Sequence, residues 1–65
     1  MAIQKTINHY LEAVEKRFGT EARRKTDLQY RGGTKFVLRR ANAEHPQLIQ
    51  LARLKSTTKY LLATA

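Results

Sequence analysis

The spacing of apolar side chains changes between the first helix and the middle of this chain, and that change limits what it can fold into. Up to Phe18 they recur with the period of a helix: Ile3, Ile7, Leu11, Val14 and Phe18 stand four, four, three and four residues apart, with Tyr10 beside them. Gln4, Lys5, Asn8, Glu12, Glu15 and Lys16 fill the opposite side, so the segment predicts an amphipathic helix with one face to bury. Lys16 and Arg17 suit the negative end of its dipole, and Gly19 is placed to close it in a left-handed conformation. From Thr26 to Arg40 the period becomes two. Leu28 and Tyr30 alternate with Asp27, Gln29 and Arg31, and after Gly32-Gly33 the residues Phe36 and Leu38 alternate with Lys35, Val37 and Arg39. Two short strands joined at the glycines form a β-hairpin.

The loop length sets which side chains share a face. A two-residue loop at Gly32-Gly33 would put Phe36 and Leu38 on the wrong side, because a slip of one residue inverts every side chain of a strand. With Arg31-Gly32-Gly33 as a three-residue loop, Leu28 stands opposite Phe36 and Tyr30 opposite Thr34, while Gly33 supplies a positive φ. Leu28, Tyr30, Phe36 and Leu38 then form an apolar face that covers the stripe of the first helix. Lys25, Gln29, Lys35, Val37 and Arg39 form the opposite face, with Arg31 at the tip. Residues 20–27 hold no large apolar side chain and read as a linking turn or the start of a short helix at Thr20.

Pro46 suits the first turn of a second helix, and Leu48, Ile49, Leu51, Ala52 and Leu54 give that helix a broad apolar face. Ser56-Thr57-Thr58 is poor helix material, which predicts a break near Lys55 and a short final strand over 59–64. The competing reading of this end is a continuing helix with Leu51, Leu54, Thr58 and Leu61 on one side. The expected fold is therefore α+β and a single domain over residues 1–65: an N-terminal amphipathic helix on an antiparallel hairpin, a second helix, and a C-terminal strand. An all-α alternative of three or four short helices needs Thr20 to Tyr30 to be helical. It is weakened by the lack of an apolar residue between Ala22 and Leu28.

Size and composition narrow the function. A chain of 65 residues buries only about 60% of the surface it exposes when unfolded, too little to enclose a substrate cavity between two lobes. There is no Cys, so neither a disulfide framework nor a thiolate metal site is available. His9 and Glu12 have a spacing that could hold two ligands of a metal, but nothing completes the set, and His45 reads as a residue at a helix start. Ser56 is the single serine and lies outside any nucleophile motif, and Gly32-Gly33-Thr34-Lys35 is not a phosphate loop. No enzyme activity, catalytic residue, metal or cofactor is expected. No apolar run approaches a membrane span or a signal peptide, so the expectation is a soluble, cytoplasmic protein.

The charge points to a partner. Thirteen Lys and Arg against five Asp and Glu give +8. Residues 16–40 hold nine of those cations against two acids, so most of the excess sits in the middle of the chain. Such a field repels itself unless a polyanion offsets it. Nucleic acid is the first candidate, ahead of an anionic membrane surface, and no membrane partner is expected. A two-stranded ribbon fits the major groove of DNA, so Gln29, Lys35, Arg39 and Arg31 are the candidates to face bases. Arg23, Arg24, Lys25 and Arg40 are the candidates for phosphates. DNA is favoured over RNA. Because Tyr30 and Phe36 are read as inward, no aromatic platform for single strands is expected.

The alternative is a protein-interaction module: a small accessory or inhibitor protein on an acidic protein partner, or a homodimer whose contact is Leu51, Leu54, Tyr60, Leu61 and Leu62. Failing that contact, Tyr60 is assigned to packing within the monomer. Small size, basicity and the lack of cysteine also resemble accessory proteins of phages and mobile elements.

Overall fold

A computed structural model describes residues 3–64. In chain order it contains α1 (Ile3–Phe18), α2 (Thr20–Lys25), β1 (Asp27–Tyr30), β2 (Lys35–Arg39), β3 (Gln47–Gln50) and α3 (Leu51–Ala63). The three strands form an antiparallel sheet in the order β1-β2-β3. The long helices α1 and α3 lie against each other and cover one face of it. This is the small α+β fold that the change of period anticipates. No helix among the described residues is long and apolar enough to cross a membrane.

The first helix ends at Phe18 as its pattern requires. The Gly19 amide donates to the Glu15 carbonyl at 2.8 Å, and Gly19 takes φ +101° with ψ 172°. Only glycine adopts that conformation readily, and it redirects the chain into the single exposed turn of α2. Thr26 closes that turn, with its Oγ1 donating to the Ala22 carbonyl at 2.7 Å. Phe18 departs from expectation. The stripe overshoots the sheet at this end, and the last ring is 60% exposed.

The hairpin forms with its faces as read, but in another register. Leu28 pairs with Leu38 and Tyr30 with Phe36, rather than Leu28 with Phe36. The Arg31 amide donates to the Lys35 carbonyl at 2.9 Å and the Lys35 amide to the Gly32 carbonyl at 3.0 Å, so Thr34 belongs to the loop. A shift of two residues preserves the side each residue faces. Leu28, Phe36 and Leu38 are buried accordingly.

The second half of the chain corrects the reading in order and extent. Pro46 precedes a strand instead of opening a helix, and Leu48 and Ile49 lie in β3, opposite Val37 and Phe36 of β2. The helix begins at Leu51 and runs unbroken to Ala63, so residues 59–63 are helical and no C-terminal strand forms. The hydroxyls explain why Thr57 and Thr58 do not break it. They donate to the carbonyls of Arg53 and Leu54 at 2.9 and 2.8 Å, four residues back, which satisfies them without leaving the helix. Thr58 is buried between Leu54 and Leu61 on the face that meets the core.

That core joins Tyr10, Ala13 and Val14 of α1, Leu28, Phe36, Leu38 and Ile49 of the sheet, and Leu54 and Leu61 of α3. One tie outside the core matters for the surface. The Leu51 amide donates to the Thr34 carbonyl at 2.7 Å, and Thr34 Oγ1 donates to Gln50 Oε1 at 3.1 Å. The hairpin loop is thereby fastened to the start of α3.

Candidate nucleic-acid interface

Both long helices lie on one face of the sheet, so the other is left open, and the register orders its side chains into three rows. At one end Asp27 pairs with Arg39; in the middle Gln29, Val37 and Leu48 lie side by side; at the loop end Lys35 pairs with Gln50, next to Arg31. Among these, Val37 alone is half-buried and the others are exposed. Lys35 and Arg39 stand four residues apart, about 13 Å along the strand. Arg31, Lys35 and Arg39 form no ion pair among the described residues. Asp27 accepts a hydrogen bond from Gln29 Nε2 at 3.3 Å and places one acid at the far end. The face is cationic at its ends and apolar at its centre.

The remaining candidates lie elsewhere. Arg23, Arg24 and Lys25 are on α2, which leads into the Asp27–Arg39 end of the sheet. Arg23 Nη1 meets Glu15 Oε1 at 3.2 Å and Arg24 Nη1 meets Glu21 Oε1 at 3.0 Å. Both pairs are more than a third exposed, where an ion pair contributes at most about 1 kcal/mol and gives way to a better anion. Arg40 does not join the ribbon. It lies just past β2 and lines a groove on the helical side with Tyr10, Phe18 and Tyr60. The eight side chains read as one surface are thus divided: four on the open face and its loop, three on α2, and one across the sheet.

Two contributors escaped the sequence reading. Leu48, 64% exposed, and Gln50 reach the open face because residues 47–50 form a strand. The only hint was Pro46, which suits the start of an edge strand as well as the first turn of a helix. The aromatic residues also differ from expectation. Phe36 is fully buried, but Tyr30 lies at the sheet's end and is 40% exposed, its hydroxyl donating to the Gly33 carbonyl at 2.9 Å. Tyr60, assigned to packing, is 65% exposed.

Arg40 bears on Tyr10 as well. Burial raises the Tyr10 phenol above its ordinary pKa, and the positive charge of Arg40 opposes that shift. The folded state therefore holds this proton more tightly than the unfolded chain. The stability that follows is present below about pH 10 and is lost as pH rises through the raised value. Urea midpoints measured from pH 8 to 11 should fall less steeply for Tyr10→Phe than for the parent; equal slopes would contradict the assignment.

Compared with known proteins, the chain matches no family model, no curated protein and no solved structure.

Proposed function

We propose that this protein binds duplex nucleic acid, DNA in preference to RNA, through the open face of its sheet, and that it acts without catalysis. The observation that carries the reading is a sheet face free of helices on which Arg31, Lys35 and Arg39 form no ion pair among the described residues. The Lys35 to Arg39 separation is close to the roughly 12 Å width of the major groove, so the two can meet phosphates on opposite sides. The middle row then lies over base edges. The Gln29 amide suits adenine, and Val37 and Leu48 suit the methyl group of thymine, which gives a preference for A·T pairs. Lys25, Arg23 and Arg24 add phosphate contacts beyond one end, fixing position and not sequence.

Fluorescence anisotropy with 16-base-pair duplexes tests this. If five or six phosphates are neutralised, log affinity falls against log salt with a slope of about −5. An A·T-rich duplex should bind more tightly than a G·C-rich one and than duplex RNA. A slope near zero would remove the electrostatic basis, and equal affinity for the DNA duplexes would remove the role of the middle row.

A second reading draws on the exposed Leu48 and its half-buried neighbour Val37, an apolar pair on the open face. A second copy, or an acidic protein partner, could cover the same surface. Light scattering separates these from the first reading: a stable dimer that releases no subunit on binding DNA would assign the face to self-association.

A further inference from the structure

The helical side carries a groove of about 480 Å³ between the C-terminal half of α1, α2, the β2–β3 connection and α3. Its floor and walls are mostly apolar, from Tyr10, Val14, Phe18, Ala22 and Leu61. At Arg40 and Tyr60 it opens into a shallower basin that Arg53 and Ser56 also line. Three features of this cleft bear on what it can hold. Phe18 and Tyr60 are both well over half exposed, although a small domain gains by covering large rings. Arg40 and Arg53 form no ion pair among the described residues. The Tyr10 side chain is 3% exposed and lines the groove, and its hydroxyl, which forms no hydrogen bond to another described residue, is left within reach of solvent.

We propose that this cleft holds one unpaired nucleotide, with the base in the apolar groove and the phosphate in the basin. A nucleobase is planar with apolar faces, and it can stack on the Tyr60 ring and on the face of Phe18 away from Arg17, whose guanidinium lies 5.0 Å from the Phe18 centroid. Its polar edge meets the free hydroxyl of Tyr10 and the amide side chain of Asn42, which also lines the groove. The phosphate lies between Arg40 and Arg53, with the Ser56 hydroxyl as a further donor. A peptide with an aromatic side chain and one carboxylate would satisfy the rings but leave one of the two guanidinium groups without an anion. The proposal goes beyond duplex binding, because a free mononucleotide suffices and the open sheet face takes no part.

The test is a titration of the ¹⁵N-labelled protein with adenosine and cytidine 5′-monophosphates, with adenosine alone, and with a short acidic phenylalanine-containing peptide. The amides of Ala41, Asn42, Thr57 and Tyr60 should shift first, and adenosine should bind about tenfold more weakly than its phosphate. Arg40→Ala, Arg53→Ala and Tyr60→Ala, all exposed positions, should each lower affinity for the monophosphate about tenfold. Tyr10→Phe should lower it severalfold with the amide spectrum otherwise retained. Lys35→Ala and Arg39→Ala should leave it unchanged. A duplex with a one-nucleotide overhang should bind more tightly than a blunt one, by a margin that Arg40→Ala abolishes. No shift in the groove at saturating nucleotide, shifts confined to the open face, or tighter binding of the peptide would each overturn the proposal. Shifts in the groove from mononucleotide without any salt-dependent duplex binding would instead sink the duplex reading and leave this one standing.

Discussion

Phe36→Ala is expected to leave the chain unfolded at 25 °C. Phe36 is fully buried in the middle strand, flanked on the same face by Tyr30 and Ile49, with its ring centroid 5.3 Å from that of Tyr30. Truncating such a ring costs about 3–5 kcal/mol, since the transfer energy is lost and a cavity remains. A domain of 65 residues has roughly 3–10 kcal/mol to lose, and the self-repulsion of a +8 charge draws this one toward the lower end. The expected result is a far-ultraviolet spectrum without helical minima and no cooperative urea transition. Phe36→Leu, which keeps most of the volume, should fold with a lowered midpoint. A cooperative transition near the parent midpoint for the alanine variant would show that the core is centred elsewhere.

Replacing Arg31, Lys35 and Arg39 together by alanine should weaken duplex binding about a hundredfold near physiological salt and flatten the salt slope from about −5 to about −2. Both figures follow from losing three phosphate contacts, each of which contributes about 0.9 to the slope. Folding should not suffer. All three side chains are exposed and form no ion pair among the described residues, and their loss relieves like-charge repulsion, so the urea midpoint should stay or rise. The matching pair Arg23→Ala with Arg24→Ala should weaken binding less, because each of those phosphate contacts is made at the expense of an ion pair with Glu15 or Glu21. An unchanged slope in the triple variant would place the binding surface, if there is one, away from the open face.

The parts of this structure that could be read in advance are those decided by local spacing. The stripe from Ile3 to Val14 and the stop at Gly19 follow from the helical period and one backbone conformation. The faces of the hairpin follow from alternation alone, which is why Tyr30 could pair with Phe36 instead of Thr34, a shift of two residues, without moving Leu28 or Phe36 to the wrong side. Residues 47–50 could not be read this way. Leu48 and Ile49 are adjacent apolar residues ahead of Leu51 and Leu54, and nothing local separates a strand from the first turn of a helix; the decision lies in pairing with β2, where Ile49 faces Phe36. At Thr57 and Thr58 the low helix propensity was real, but burial of Thr58 between Leu54 and Leu61 outweighed it. In the candidate interface, alternation placed Gln29, Lys35 and Arg39 together, and the same alternation carries Arg40 to the side of Phe36 and Leu38, where it lines the helical groove.

The brevity of β1 and β3 has a further effect. Each outer strand of the sheet is four residues long, so its free margin presents only about two outward amide and carbonyl groups to a newcomer. One margin is also bounded by α2 and Asp27, and the other runs directly into α3. Lateral growth from molecule to molecule, the route by which small sheet proteins polymerise, finds almost no template here. Contact between copies of this chain is therefore left to the faces of the fold and not to its strand margins.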